Sequence, residues 1–97
     1  MDHLLSDIGN IYKKIDEYEI VNYTIKPYVT IKAAIYKKLD EDYYQLRVSH
    51  LITLPGTSTF KPNSNFSANS LEQVYMNLRY YFVFAKDSKK VKLIDQE

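Results

Sequence analysis

Two runs of alternating apolar and polar residues constrain the fold of this chain more than any other feature of its sequence. In residues 28–38, YVTIKAAIYKK, every second side chain is apolar, and residues 43–54, YYQLRVSHLITL, repeat the pattern. A period of two is typical of a strand with one buried face. The polar sequence LDED, which separates the two runs, is typical of a turn. We therefore predict an antiparallel hairpin.

The segment before this hairpin changes its period part-way. From Asp2 to Tyr18 the apolar residues are spaced by three and four, which predicts a helix with one apolar stripe. The members of that stripe are Leu4, Leu5, Ile8, Ile11, Tyr12, Ile15 and Tyr18. In residues 20–26, IVNYTIK, the period becomes two, which predicts another half-buried strand that ends before Pro27.

A long loop and a second helix are expected after the hairpin. Residues 55–70 are the part of the chain richest in Pro, Gly, Ser, Thr and Asn, which predicts a loop with a short edge strand near residues 57–61. Ser70 and Gln73 have the spacing of a capping box, so a helix should begin there. The first members of its apolar stripe are Leu71, Val74, Tyr75 and Leu78.

The aromatic stretch LRYYFVFAK, residues 78–86, allows two interpretations. As the end of the helix, which we favour, it adds Tyr81, Phe82 and Ala85 to the apolar stripe. As a strand it would form a C-terminal hairpin with VKLID, because both segments contain β-favouring residues. In the helical interpretation three large residues stay uncovered and predict self-association as a homo-oligomer. These residues are Tyr80, Val83 and Phe84.

The elements follow the order α-β-β-β-α, with a fourth strand if the loop contributes one. We predict a single α+β domain over residues 1–97. Its two layers would be an antiparallel sheet of three to four strands and a pair of helices, N-terminal and C-terminal, on one face. The other face of the sheet would remain open.

The composition argues against several classes of function. The chain has only 2 Gly, far apart, which excludes phosphate loops and dinucleotide-binding motifs. With no Cys and 2 His, we expect neither a metal site nor a cofactor. Ser49 and His50 are neighbours in a predicted strand, so their side chains should point to opposite faces and not form a nucleophilic pair. We therefore expect a protein that is not an enzyme.

Net charge, hydropathy and the lack of Cys indicate which partners and which compartment to expect. A net charge of +1 gives no strong field toward nucleic acid or an anionic membrane. No segment approaches the roughly 20 apolar residues of a membrane-spanning helix. The lack of Cys fits a reducing compartment, so we expect a cytoplasmic protein. Its 11 Lys against 2 Arg are typical of AT-rich genomes, which include those of phages and mobile elements.

The open sheet face is the candidate binding site, because aromatic and cationic side chains interleave along it. Tyr and Arg are common anchors of protein interfaces, so a protein is the expected partner. The same pattern suits stacking on bases, and single-stranded nucleic acid is the alternative partner. The leading hypothesis is a small interaction protein, such as a phage or mobile-element factor that inhibits a host or defence enzyme. The candidate residues are Tyr28, Lys32, Tyr36, Lys38, Tyr43 and Arg47.

Overall fold

The computed structural model describes residues 11–54, 56, 60–61 and 67–94. The secondary structure of these residues comprises β1 (Tyr12–Asn22), β2 (Val29–Lys38), β3 (Tyr44–Val48), β4 (His50–Thr53), β5 (Phe60–Lys61), β6 (Ser67–Ala68), α1 (Leu71–Ala85) and β7 (Val91–Leu93). Four strands form one sheet in the order β1-β2-β3-β6, and three form a second sheet in the order β5-β4-β7. All neighbouring strands are antiparallel.

The predicted hairpin is confirmed as β2 and β3. The two strands pair in register from Ala33 with Val48 to Lys37 with Tyr44. The alternation has the predicted effect, since Ile31, Ala33 and Ile35 are buried on one face of β2. The α+β class and the antiparallel sheet of the prediction are therefore correct.

The predicted N-terminal helix is wrong over residues 12–18, which belong to β1. This strand pairs with β2, and its register shifts between Lys14 and Asp16, where Ile15 forms a β-bulge. An extra residue in a strand moves the following side chains to the opposite face. Tyr12 and Tyr18 thus lie on opposite faces of β1, with Ile15 between them, at a spacing that imitates helical turns. Residues 2–10 of the predicted helix lie outside the described residues.

The strand predicted at residues 20–26 is shorter than expected, because β1 already ends at Asn22. Residues 23–28 connect β1 to β2, and the Lys26–Pro27 peptide bond in this connection is cis. The rings of Tyr23 and Tyr28 pack edge to face at a centroid distance of 4.8 Å, and both side chains are exposed. This connection therefore presents an aromatic pair at one end of the first sheet.

The run at residues 43–54 forms two strands rather than one. Ser49 lies between β3 and β4, where the chain passes from the first sheet to the second. Ser49 donates its backbone N–H to the Lys32 carbonyl at 2.9 Å, and its Oγ accepts the Lys32 N–H at 2.8 Å. The Ser49 hydroxyl thus provides an acceptor for the Lys32 N–H beyond the end of β3, where the ladder of backbone hydrogen bonds stops.

The helix begins where the capping residues predicted. Ser70 Oγ accepts the Gln73 N–H at 3.2 Å, but the Gln73 side chain donates to Asn77 instead of completing a reciprocal capping box. The helix continues to Ala85, which confirms the favoured interpretation of the aromatic stretch. The strand expected only in the other interpretation also exists, as β7 paired with β4.

The core lies between α1 and the first sheet. The buried residues of α1 are Val74, Leu78, Tyr81 and Ala85. They form one cluster with inward side chains of β2, β3 and β4, including Ile35, Leu46 and Ile52. Of the two helices predicted on this face, only the C-terminal one occurs within the residues that the structure describes.

Candidate functional site

The open face of the first sheet carries tyrosines gathered around one arginine. The guanidinium carbon of Arg47 lies 4.1 Å from the Tyr36 ring centroid and 5.3 Å from the Tyr12 ring centroid. Arg47 also donates from Nε and Nη2 to Gln45 Oε1, at 3.3 and 3.2 Å. Cation–π contacts and hydrogen bonds together hold an exposed cation in one orientation. We call Tyr12, Tyr36, Tyr43, Gln45 and Arg47 the tyrosine–arginine cluster.

Strand register brings this cluster together. Tyr36 pairs with Gln45 across β2 and β3, and Arg47 is opposite Ala34, so all of these side chains share one face. Arg47 faces the small side chain of Ala34, and its guanidinium lies over the diagonal neighbour Tyr36. Tyr12 joins from β1, where its hydroxyl accepts a hydrogen bond from Gln45 Nε2 at 3.4 Å.

Three of the six predicted binding residues belong to the cluster: Tyr36, Tyr43 and Arg47. The Tyr43 ring lies 6.4 Å from the Tyr12 ring, at the edge of the cluster. Tyr12 was missed by the sequence analysis, because its spacing from Ile15 assigned it to a helix. Residues 12–14, YKK, do not alternate, so no local pattern could have placed Tyr12 on this face.

The other three predicted residues lie away from the cluster. Lys32 is exposed on the same face, directly opposite Glu19 of β1. Lys38 forms an ion pair with Glu41 at 2.7 Å. Tyr28 lies just before β2 and packs on Tyr23. The structure therefore places the six residues on one sheet and its turns without bringing them into a single site.

Carboxylates balance most of the cations on this face. Lys14 Nζ lies 3.1 Å from Glu17, and the hydrogen bond between them raises the pKa of Lys14. The hydrogen bond to Glu41 raises the pKa of Lys38 in the same way. Arg47, by contrast, bonds to an amide oxygen among the described residues. Most positive charges on this face are therefore paired with a carboxylate. Arg47 is bonded to a neutral amide instead, so its positive charge is not neutralised.

An apolar groove lies on the opposite side of the sheet, between β1 and α1. It arises because α1 packs mainly on β2, β3, β4 and β6 and leaves the inner face of β1 open near Tyr18 and Ile20. Its volume is about 450 Å³. The residues that line it are Tyr18, Ile20, Tyr75, Leu78, Arg79, Phe82, Val83 and Lys86.

One carboxylate positions two of the rings that line this groove. Asp16 Oδ2 accepts hydrogen bonds from Tyr18 at 2.6 Å and from Tyr75 at 2.5 Å, and Oδ1 accepts the Glu17 N–H at 3.1 Å. The bonds from Tyr18 and then Tyr75 lower the pKa of Asp16, because they stabilise its charged form. The carboxylate in turn raises the pKa of both phenols.

The stability of the protein should depend on the charge of Asp16. Its pKa is lowered by folding from the ordinary value of 3.8, so its stabilising contribution is present above that value and is lost as the pH falls through the folded pKa. We expect the difference in Tm between the wild type and Asp16→Asn to shrink from about pH 6 to about pH 3. Thermal unfolding followed by circular dichroism measures this difference.

Asp42→Asn is the matched control for this prediction, because Asp42 is exposed in the β2–β3 turn. Its Tm should follow that of the wild type across the same range. A difference between wild type and Asp16→Asn that stays constant with pH would show that the two phenols do not depend on the ionised carboxylate.

The expectation that Ser49 and His50 point to opposite faces is wrong. Ser49 Oγ lies 2.6 Å from His50 Nδ1, because Ser49 lies at the break between β3 and β4. Burial lowers the pKa of His50, which favours the neutral ring as acceptor of the Ser49 hydroxyl. Ser49 Oγ also accepts the Lys32 N–H, which reduces its nucleophilicity. The pair therefore lies at the junction of the two sheets, where Ser49 also bonds to Lys32 of β2.

The residues predicted for self-association lie on the outer side of α1. Tyr80 and Val83 are exposed, whereas Phe84 is half-buried with its ring centroid 4.9 Å from that of Tyr80. Val83 also lines the apolar groove. The exposed apolar surface of the helix therefore continues from the groove toward solvent.

Within the ranges that the structure describes, no three His, Asp or Glu side chains gather where they could hold a metal ion. The helix found in those ranges is too short and too polar to cross a membrane. Comparisons with protein-family models, with curated proteins and with solved structures find no match to this chain.

Proposed function

We propose that this protein is a small non-enzymatic interaction protein that binds another protein through the tyrosine–arginine cluster. The observation that carries the proposal is the stacking of exposed Arg47 on Tyr36 and Tyr12. Tyr and Arg anchor interfaces because they bury a large area. A side chain that is already held in one orientation loses less entropy on binding, so more of its interaction energy becomes affinity.

The charge balance of the face favours a protein over single-stranded nucleic acid. A nucleic-acid groove needs free cations along the phosphate backbone and free ring faces for the bases. Here Lys14 and Lys38 are paired with carboxylates, and the guanidinium of Arg47 lies over the Tyr36 ring. Arg47 itself suits a partner carboxylate, which can accept two parallel hydrogen bonds.

The composition supports a biological setting for such a protein. An excess of Lys over Arg is associated with AT-rich genomes. A rigid face on a chain of 97 residues suits a factor that acts by covering a surface of a larger protein. The proposed role is a cytoplasmic accessory factor of a phage or mobile element that inhibits a host or defence enzyme.

Arg47→Ala should abolish most of the binding. The test is affinity capture with the full chain from the cells that make it, followed by measurement of Kd for the captured protein. We expect Arg47→Ala to weaken binding by about 100-fold, the size of an interface hot spot. Arg47→Lys should also weaken it, because an ammonium group cannot reproduce the planar stack.

Lys89→Ala is the matched control, since Lys89 is an exposed cation that follows α1. A protein retained equally by wild type, Lys89→Ala and Arg47→Ala would contradict the proposed site. Fluorescence titration with single-stranded oligonucleotides tests the alternative. Binding that falls steeply with salt and is lost in Arg47→Ala would replace the protein partner with nucleic acid.

A further inference from the structure

The helix α1 carries a second apolar stripe on its solvent side. Met76, Tyr80 and Val83 are spaced by four and three residues, and their side chains are 57%, 66% and 48% exposed. A helix that covers one sheet normally presents polar residues on this side. Three large apolar side chains in one exposed row indicate an interaction surface. We call these three residues the outer stripe.

Three charged residues border the outer stripe at equal spacing along the helix. Glu72 lies in the first turn of α1, Arg79 lies seven residues later, and Lys86 follows after another seven as the C-cap. Residues seven apart fall nearly in line on a helix, so these three share one edge of the stripe. The acid and the terminal base are therefore equally distant from Arg79.

We infer that a second copy of this chain covers the outer stripe, with the two α1 helices antiparallel about a twofold axis near residues 79 and 80. In this arrangement Glu72 of each copy meets Lys86 of the other, so the pair forms twice. A parallel copy would place like charges together at all three positions, whereas the antiparallel copy does so only at Arg79. The opposed helix dipoles also favour the antiparallel arrangement.

The same twofold axis places Met76 of one copy against Val83 of the other. Near the axis, the two exposed Arg79 side chains approach each other on one edge of the stripe and the two Tyr80 rings approach on the other edge. The opposite-charge pairs of this isologous contact are therefore the two outer contacts between Glu72 and Lys86. Glu72 and Lys86 are about 21 Å apart along the helix, too far to pair within one chain.

Neither charge is committed elsewhere in the part of the chain that the structure describes. Lys86 lies 3.7 Å from the neighbouring Asp87, and both side chains are more than half exposed. An exposed pair at that distance contributes little to stability, so Lys86 is free to turn toward another carboxylate. No described cation forms an ion pair with Glu72. Glu72 at one end of the stripe and Lys86 at the other are therefore both available to pair with an opposite charge on a second copy.

Charge reversal tests the twofold arrangement directly. Sedimentation equilibrium of the full chain should give twice the 11.5 kDa of one chain. Glu72→Lys and Lys86→Glu should each raise the dimer Kd by about tenfold, because each brings like charges together. The double variant should recover the wild-type Kd. Both substitutions also oppose the helix dipole, so a mere loss of helix stability would add up in the double variant instead of being restored.

Two more variants keep the test independent of folding. Val83→Glu places a charge in the stripe and should give monomers with an unchanged circular dichroism spectrum, because the residue is half exposed. Thr30→Lys adds a charge on the opposite side of the sheet from α1 and should leave the dimer intact. A wild type that is monomeric at every concentration, or a double variant no tighter than the single ones, overturns the inference. Arg47→Ala should remain dimeric, which separates this test from that of the proposed function.

Discussion

Replacement of Asn22 by alanine should lower the free energy of unfolding by about 3–5 kcal/mol. Asn22 is fully buried, with a relative exposure of 0%, at the end of β1. Its Nδ2 donates to the carbonyls of Ala85 and Ser88 at 2.9 and 2.7 Å, and its Oδ1 accepts the Thr24 N–H at 2.7 Å. Alanine would remove a partner from each of these three backbone groups and leave the Ala85 carbonyl with only the Ser88 N–H, at 3.4 Å. A buried backbone group without a partner costs about 1–3 kcal/mol. Urea unfolding followed by circular dichroism measures the loss.

Two variants show whether the loss comes from these hydrogen bonds. Asn77→Ala removes a half-buried asparagine of α1 and should change the free energy of unfolding by no more than about 0.5 kcal/mol. Asn22→Asp keeps the acceptor but faces two carbonyls with a carboxylate. It should therefore be unstable at neutral pH and recover in acid, where the protonated group can donate. A cost of less than about 1 kcal/mol for Asn22→Ala would mean that water satisfies these groups.

The bonds of Asn22 lead into a network that ties the two sheets to the end of α1. Ser88 is buried, and its Oγ accepts the Thr53 N–H at 3.0 Å and donates to the Lys90 carbonyl at 2.7 Å. Asn22 holds the Ser88 carbonyl from the side of the first sheet, while Thr53 holds its hydroxyl from β4. The loss of Asn22 should therefore loosen the second sheet as well as the end of the helix.

No local pattern in the sequence could have found this role of Asn22. The alternation of residues 20–26 placed Asn22 among the polar side chains of the open face. Its hydrogen-bond partners lie 63 and 66 residues away along the chain. A polar residue is buried only where such distant groups satisfy it, and alternation alone cannot show that. The second sheet was missed for the same reason, because its paired strands β4 and β7 are far apart in the sequence.

The features that were predicted correctly depend on neighbours in sequence. The hairpin of β2 and β3 follows from alternation across a short turn, and the start of α1 follows from the serine that caps it. The same alternation placed Tyr36 and Arg47 on one face, where the structure brings them into contact. Tyr12, the other ring beside Arg47, was missed because the bulge at Ile15 interrupts the period of β1.

Ile35→Ala should lower the free energy of unfolding by about 3–4 kcal/mol. Ile35 has a relative exposure of 0% and lies in the middle of the first sheet, opposite Asp16 on one side and Leu46 on the other. The substitution removes its apolar contacts and leaves a cavity that the paired strands cannot close by moving. Chemical denaturation measures the change, and an unchanged m-value would show that the unfolded state is unaffected.

Ile15→Ala is the matched control, because it makes the same chemical change on the neighbouring strand. Ile15 lies at the bulge of β1 and is 37% exposed, so we expect a cost of about 1 kcal/mol or less. A helix over residues 2–18 would have placed Ile15 in its buried stripe, and Ile15→Ala would then cost nearly as much as Ile35→Ala. The ratio of the two costs therefore distinguishes a bulged edge strand from an amphipathic helix. Equal costs would contradict the register of β1, and with it the position of Tyr12 beside Arg47.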